Sequence, residues 1–171
     1  GGGGTGKSTV ICQALANEKS IVYLGATNKV TGVLKSNLVR EGVENPKVKT
    51  IDSFLGFRMI KDEFNNTKIT YKIPKPKDLP KIIVIDEISM IHPEAFEAAN
   101  RIAQTVRDSD APFGGLRIIA VGDFLQLPPI TPNNQAVQWL FEMDLWHQLG
   151  FKKIYLKETM RTDKKVFVDV L

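Results

Sequence analysis

The sequence contains one cysteine, two histidines and no long apolar run, and each scarcity excludes a class of protein. Cys12 cannot form an internal disulfide, and its apolar neighbours indicate a buried structural thiol rather than a reactive one. His92 and His147 have no metal-ligating partners at a useful spacing, which argues against a histidine-based metal site. Without a membrane-length run or a signal peptide, we expect an intracellular protein without a membrane partner. Nucleus, mitochondrion and bacterial or viral cytoplasm are not distinguishable.

The length and composition fit one globular domain. A chain of 171 residues that is 43% hydrophobic can bury one substantial core but not two. The net charge of +4 and the pI near 9.1 are mildly basic. This charge is compatible with a polyanionic partner but does not demonstrate one.

A glycine-rich stretch, Gly1-Gly2-Gly3-Gly4-Thr5-Gly6-Lys7-Ser8, opens the chain and fits the phosphate-loop pattern G-x-x-x-x-G-K-S. In this pattern the backbone N–H groups wrap around phosphates, the lysine reaches the β- and γ-phosphates, and the serine hydroxyl binds magnesium. The alternative is a flexible glycine-rich terminus, but the residues that follow continue into a helical pattern. The sequence therefore predicts a nucleoside triphosphate site with Mg²⁺. Its predicted nucleotide-binding residues are Gly2, Gly3, Gly4, Thr5, Gly6, Lys7, Ser8 and Thr9.

A buried strand at 81–86 leads into the carboxylate pair Asp86-Glu87. Ligands of open parallel sheets bind at the carboxyl ends of strands, so Asp86 is expected beside Ser8 as a second magnesium ligand. Glu87 would then orient and deprotonate the attacking water. Acidic pairs also end strands as ordinary caps or turns. The coupling to a phosphate loop favours the catalytic interpretation.

A third strand, at 116–122, is followed by Asp123 and Gln126 and then by two prolines. A glutamine near a γ-phosphate can position the attacking water or report whether that phosphate is present. The alternative is a proline-stiffened loop with polar residues facing solvent. The residues alone leave both interpretations open.

Apolar runs alternate with helix-period segments along the chain. Strands are predicted at 20–25, 81–86, 116–122 and 153–156, and helices at 7–16, 29–40 and 93–107. This order predicts an α/β fold with parallel strands and crossover helices. The polar segment 58–80, with a turn at Asn65-Asn66, is predicted to be an inserted hairpin. A phosphate loop normally follows a strand, so the chain is expected to be a fragment whose first strand lies upstream.

Three strings carry a resemblance to a known family: D-E-I-S-M at 86–90, P-F-G-G at 112–115 continuing to G-D-F-L-Q-L-P-P at 122–129, and L-K-E-T-M-R at 156–161. In this order they resemble the motifs of superfamily 1B DNA helicases, and most closely the petite-integration-frequency (PIF) family, with RecD and Dda as relatives. The similarity covers almost the whole chain. It implies a P-loop NTPase with a RecA-like sheet that has helices on both faces.

The resemblance implies that residues 1–171 are the first motor domain of an ATP-dependent DNA helicase. Such a motor translocates on single-stranded DNA, 5′ to 3′ in this superfamily, and hydrolyses ATP against a second RecA-like domain. By this resemblance Gln126 and Arg161 are the γ-phosphate sensors. The implied catalytic residues are therefore Lys7, Asp86, Glu87, Gln126 and Arg161. Arg161 could instead pair with Glu158 on a helical turn. The fragment alone is expected to be a weak ATPase, and the alternatives are a nucleotide kinase or a non-catalytic nucleic-acid-binding module.

Two stretches resemble the DNA-contact motifs of the family. Thr27 and Asn28 follow the strand at 20–25, and Thr50 and Ser53 belong to T-I-D-S-F, where Asp52 replaces the usual histidine. The hydroxyl and amide groups can donate hydrogen bonds to phosphate, whereas a carboxylate at Asp52 would repel it. We therefore expect no DNA contact from Asp52. We expect DNA contacts from Thr27, Asn28, Thr50 and Ser53.

The insertion at 58–80 resembles the hairpin that splits the duplex in this superfamily. Its lysines could follow the DNA backbone while Phe64 or Tyr71 stacks on a base. The resemblance thus implies forked duplex DNA as a partner. A charged, solvated loop is the competing interpretation.

Overall fold

We describe the fold from a computed structural model, which describes residues 5–15, 17–56, 58–61, 63–65, 67–70, 74–75, 79–129 and 136–156. For residues 8, 58–60 and 67–70 only the backbone is described. In these ranges the helices are α1 (Lys7–Leu15), α2 (Asn28–Arg40), α3 (Ile51–Leu55), α4 (Pro93–Arg107) and α5 (Asp144–Gln148). The strands are β1 (Ile21–Gly25), β2 (Val48–Thr50), β3 (Arg58–Lys61), β4 (Thr67–Thr70), β5 (Ile82–Ile85) and β6 (Arg117–Ala120).

The main sheet has four parallel strands in the order β2-β1-β5-β6. Strand β1 pairs with β2 through Gly25 and Thr50, and with β5 through Leu24 and Ile85. The chain runs outward from β1 to β2 on one side and from β5 to β6 on the other. The strand order therefore reverses between β1 and β5, which is where open α/β sheets bind ligands.

Alternate side chains of β1 and β5 enter two different cores. Val22, Leu24, Ile83 and Ile85 pack on one face with residues of α3 and α4. Ile21, Tyr23, Ile82 and Val84 pack on the other face with residues of α1 and α2. Strands covered on both faces read as continuous apolar runs, as this sequence does. The predicted parallel sheet with helices on both faces is confirmed.

The predicted hairpin is also present among the described residues. Strands β3 and β4 pair antiparallel from Arg58 opposite Thr70 to Lys61 opposite Thr67. Asn65 has φ 65°, a left-handed conformation that asparagine tolerates in turns. The hairpin strands form a two-stranded sheet separate from the main one.

The predicted strand at 153–156 is wrong, because residues 151–156 form no regular element. Ile154 and Tyr155 are 79% and 68% exposed, so their side chains are not buried against the core. An apolar run becomes a strand only where a neighbouring backbone completes its hydrogen bonds. In the ranges described above, the main sheet ends at β2 and β6.

The P-F-G-G string at 112–115 packs against α4 and is hydrogen-bonded to it. The Phe113 N–H donates to the Asn100 side-chain oxygen at 2.6 Å, and the Arg107 Nε donates to the Gly114 carbonyl at 2.6 Å. The buried Phe113 ring meets Phe96 edge to face, with 5.1 Å between centroids. The string therefore stabilises the start of β6 and contributes no reactive group of its own.

Candidate nucleotide and nucleic-acid site

Helix α1 begins at the predicted phosphate-binding lysine. Gly6 has φ 73°, a conformation that glycine adopts without strain, and its carbonyl accepts the first helical bond from the Val10 N–H at 3.0 Å. Thr5 is buried, while Lys7 and Thr9 are half-buried at the first turn. The loop therefore enters a helix N-terminus, as phosphate binding requires. Gly2, Gly3, Gly4 and the Ser8 side chain lie outside the described part of the chain.

Asp86 and Glu87 follow β5 in different environments. Asp86 is 6% exposed, and its Oδ1 accepts the Glu87 N–H at 3.1 Å. Glu87 is half-buried and has φ 50° and ψ 50°, a left-handed conformation that costs a non-glycine residue energy. The strained turn separates the two carboxylates into a buried and a more accessible position.

The turn at Glu87 is fixed by the end of β6. The Ile88 N–H donates to the Val121 carbonyl at 2.9 Å. A Cβ on Gly122 would lie 3.0 Å from the Ile88 nitrogen and 3.6 Å from the Glu87 carbonyl carbon. Only glycine allows the two backbones this approach without displacement.

The loop after β6 closes around the Asp123 carboxylate. Oδ1 accepts the Leu125 N–H at 3.1 Å, and Oδ2 accepts the Gln126 Nε2 at 3.1 Å. Partial burial raises the pKa of Asp123, but these two hydrogen bonds and the Lys7 charge outweigh it and hold the pKa below its ordinary value. Asp123 is therefore an ionised group that organises the loop carrying Gln126.

Charge effects connect α1 with both strand ends. The Lys7 ammonium acts on Asp123. Burial and, to a smaller extent, the Asp86 charge together raise the pKa of Cys12 to about 11. Cys12 is fully buried and neutral, as expected for a structural thiol. Lys7 at the start of α1 thus interacts with Asp123 after β6, and Asp86 after β5 interacts with Cys12 on α1.

Aromatic packing anchors the same loop to the protein. The Phe124 ring meets Trp139, Phe141 and Trp146 edge to face, with centroid separations of 5.8, 5.0 and 5.6 Å. Its neighbour Leu125 is 96% exposed. Phe124 therefore anchors the loop in an aromatic cluster, while the next side chain, Leu125, is exposed to solvent.

Four of the predicted DNA-contact residues lie together at the carboxyl ends of β1 and β2. Thr27 caps α2 by accepting the Val30 N–H at 3.3 Å, and Thr50 caps α3 by accepting the Ser53 N–H at 3.1 Å. Asn28 and Ser53 are exposed in the first turns of these helices. Both threonines therefore have a structural role that sequence reasoning missed, although a threonine before a helical pattern is a known cap signal.

The remaining predicted site residues lie in other segments of the chain. Phe64 is 84% exposed between the hairpin strands. Asp52, from which no DNA contact is expected, is exposed on α3 beside Ser53. Tyr71 and Arg161 lie outside the described residues. The sequence also gave no role to Gly122 or Phe124, because their function depends on what lies opposite them in the fold.

The described residues contain no group of three or more His, Cys, Asp or Glu that could hold a metal ion. They also contain no helix long and apolar enough to cross a membrane.

Comparison with known proteins gives consistent matches. The family model described as PIF1-like helicase matches residues 1–169. The ATP-dependent DNA helicase Pif1 of Bdellovibrio bacteriovorus is 34% identical across 100% of this chain, which spans 37% of that protein. The chain therefore covers well under half of this relative.

Two solved structures share the fold. Pif1 helicase from Bacteroides in complex with ADP-AlF3 and ssDNA gives a TM-score of 0.71 at 25% identity, covering 98% of this chain and 39% of that one. A structure titled for DNA unwinding at forked dsDNA by two coordinating Pif1 helicases gives 0.72 at 22% identity, covering 98% and 40%. Nearly all of this chain thus superposes on part of a larger molecule.

Proposed function

The chain belongs to the PIF1-like helicase family, and from this premise we propose that it is the nucleotide-binding motor domain of an ATP-dependent DNA helicase. The observation that carries the proposal is the junction between β5 and β6. There the Ile88–Val121 hydrogen bond joins the turn of Glu87 to the strand that leads to Gln126. A base and a phosphate-sensing amide on adjoining backbones would supply two of the parts that γ-phosphate hydrolysis uses.

The phosphate-binding part of the site is assigned to Gly2 to Thr9, a segment that runs into α1 at Lys7. Backbone N–H groups and the Lys7 ammonium hold the phosphates of ATP, with the helix dipole favouring the same negative charge. The Ser8 hydroxyl and the Asp86 carboxylate are the donors for Mg²⁺, which prefers hard oxygen ligands. A buried carboxylate at this strand end fits that ion. When bound, Mg²⁺ neutralises charge on the phosphate oxygens.

Hydrolysis is assigned to the more accessible carboxylate. Glu87 accepts the proton of the attacking water, because its left-handed turn holds it apart from the buried Asp86. Gln126 contacts the γ-phosphate or the water, and Arg161 stabilises the phosphate oxygens by charge-assisted hydrogen bonds. These contacts differ between ATP and ADP states, so they can couple hydrolysis to movement.

Single-stranded DNA is proposed to bind across the carboxyl ends of β1 and β2. The similar Bacteroides protein was crystallised with ssDNA, and in this chain Thr27, Asn28, Thr50 and Ser53 lie on two adjacent strand ends. Capping uses only the acceptor function of each threonine hydroxyl, so its O–H remains able to donate to phosphate. Movement is proposed to run 5′ to 3′ with a second RecA-like domain of the parent chain.

The hairpin of β3 and β4 is proposed to divide the strands of forked duplex DNA. It forms a separate two-stranded sheet with Phe64 exposed between its strands. Stacking of a base on Phe64 or Tyr71 would hold the separated strand.

Separating nucleotide binding from hydrolysis tests the proposed site. In the full-length protein, Lys7→Ala should weaken ATP binding, whereas Glu87→Gln should keep ATP bound and lose nearly all turnover, because the amide preserves shape without accepting the proton. Nucleotide affinity and DNA-stimulated turnover are measured for both variants, with exposed Glu94→Gln on α4 as the matched control. Equal loss of nucleotide affinity in the Lys7 and Glu87 variants would overturn the assignment.

A further inference from the structure

Asp123 makes three hydrogen bonds within its own loop, two of them to Gln126. Its Oδ2 accepts the Gln126 side-chain nitrogen at 3.1 Å, and its backbone carbonyl accepts the Gln126 N–H at 3.0 Å. Its other carboxylate oxygen accepts the Leu125 N–H at 3.1 Å. One carboxylate therefore determines both the turn and the direction of the glutamine amide.

The orientation of the Gln126 amide follows from the chemistry of its partner. An ionised carboxylate only accepts hydrogen bonds, so the amide nitrogen must face it and the amide oxygen must face away. The low pKa of Asp123 maintains this acceptor across neutral pH. Nε2 carries two hydrogens, so one N–H remains for a phosphate oxygen while Oε1 is available to accept from water.

Gln126 needs such a restraint because its side chain is exposed. An exposed glutamine samples several rotamers, and holding it in one costs conformational entropy at the moment of reaction. The bond to Asp123 orders the side chain beforehand, while Phe124 anchors the intervening backbone in the aromatic cluster. Preorganised dipoles are the ones that stabilise a transition state without reorganisation.

We propose that Asp123 is a positioning residue for hydrolysis: it turns the Gln126 amide so that Oε1 meets the attacking water and one N–H meets the γ-phosphate. The inference rests on the proposed function, because it acts only through Gln126. It adds a residue and a defined amide orientation to that site.

The test is Asp123→Asn in the full-length protein. The new side chain keeps one acceptor for the Leu125 N–H, so the turn is retained, but its NH₂ group faces Gln126. The Gln126 amide must then rotate to present its oxygen inward, which removes the acceptor from the water. We expect kcat to fall about tenfold while KM for ATP is little changed, because the phosphate loop is untouched. Asp110→Asn, at an exposed loop position, is the matched control and should change neither constant.

A double variant shows whether Asp123 works through Gln126. Adding Asp123→Asn to Gln126→Ala should cause no further loss of kcat, because the group being positioned is already absent. Additive losses would overturn the inference. A normal kcat in the Asp123→Asn single variant beside an impaired Gln126→Ala variant would overturn it and leave the proposed function intact, whereas normal turnover in Gln126→Ala would overturn the role of Gln126 itself.

A second substitution separates positioning from folding. Asp123→Ser retains a short acceptor for the turn but cannot hold the amide, and it should show the same fall in kcat and the same lack of additivity. Thermal unfolding is measured for every variant. If neither substitution gives a folded protein, Asp123 is a structural residue and the inference is overturned.

Discussion

The Ile88 backbone amide donates a 2.9 Å hydrogen bond to the Val121 carbonyl oxygen, and this bond links the two strand ends that precede the proposed catalytic residues Glu87 and Gln126. Glu87 precedes Ile88 in a left-handed turn, and Gly122 follows Val121 in close contact with that turn. A change at the end of β6 is therefore transmitted to Glu87 through backbone atoms. Backbone contacts of this kind are stiff, because packed interiors leave little room for adjustment.

Gly122→Ala should displace the turn that holds Glu87. The added Cβ would lie 3.0 Å from the Ile88 nitrogen, so the two backbones must separate. We expect destabilisation by about 1–3 kcal/mol and a fall in kcat larger than any change in nucleotide affinity. The measurements are chemical unfolding and DNA-stimulated turnover. Gly32→Ala, at an exposed position of α2 where a Cβ meets nothing within 4 Å, is the control and should be neutral or stabilising.

The P-F-G-G string at 112–115 contains two adjacent glycines that can serve as a variant and its control. A Cβ on Gly114 would lie 2.6 Å from the Ala103 carbonyl oxygen, whereas one on Gly115 would meet nothing within 4 Å. Both residues have positive φ, so both alanine variants carry backbone strain. Gly114→Ala should therefore lower the free energy of unfolding by at least about 1 kcal/mol more than Gly115→Ala. Equal losses would mean that strain, rather than the α4 contact, determines the cost.

The sequence predicted the elements whose signals are local. The apolar run of β5 predicted a buried strand, and α4 was predicted with its observed bounds from its amphipathic pattern. The three-residue β2 and the five-residue α3 were not predicted, because elements this short contain too little of a period to recognise. The strand predicted at 153–156 failed for a different reason, since an apolar run does not reveal whether a partner strand is present.

The candidate site divides in the same way. The phosphate loop and the Asp86-Glu87 pair were recognisable because each residue type at its spacing has a chemical role. The contributions of Gly122 and Phe124 were not, since one depends on a backbone approaching from β5 and the other on rings more than ten positions away. Thr27 and Thr50 were assigned to DNA alone, and their capping role appeared only with the helix starts.

The two threonine caps predict a separation between stability and DNA binding. Thr27→Ala should lower the free energy of unfolding by about 1 kcal/mol, because the Val30 N–H loses its acceptor. Thr27→Ser should keep both the cap and the hydroxyl donor, so stability and affinity for single-stranded DNA should stay near the parent values. Thr27→Asp should keep the cap but place a carboxylate beside phosphate and weaken DNA binding. Unchanged DNA affinity in the Asp variant would restrict Thr27 to its structural role.

The buried Cys12 thiol and Tyr23 hydroxyl predict a loss of stability at alkaline pH, where these groups lose their protons in the unfolded chain. Burial raises the pKa of Cys12 from 9.0 to about 11, and burial followed by the Cys12 charge raises the pKa of Tyr23 from 10.0 to about 12. The folded state thus keeps protons that the unfolded state releases, so the free energy of unfolding should fall as pH rises from about 9 toward 12. Chemical unfolding across this range measures the slope, which should be shallower in Tyr23→Phe and unaltered in the exposed control Tyr155→Phe.

Tyr23→Phe should also remove a cost at neutral pH. The Tyr23 hydroxyl is buried with no hydrogen-bond partner among the described residues. An unsatisfied buried hydroxyl costs about 1–3 kcal/mol of desolvation, so its removal should leave the free energy of unfolding unchanged or increase it by about 1 kcal/mol. A clear decrease would show that the hydroxyl has a stabilising partner.

The hairpin predicts that duplex unwinding can be removed while DNA-stimulated ATP turnover is kept. Replacing the loop at 62–66 with Asn-Gly preserves the Lys61–Thr67 pair, because a two-residue turn closes an antiparallel ladder at that register. The change deletes the exposed Phe64 and shortens the hairpin, while the proposed nucleotide site lies at the separate main sheet. We expect unwinding of forked DNA to be lost and turnover with single-stranded DNA to be largely retained.

Phe64→Ser keeps the loop length and should give a milder defect, since a base–aromatic stack contributes roughly 1–3 kcal/mol. Unwinding at the parent rate by the shortened protein would make the hairpin a solvated loop.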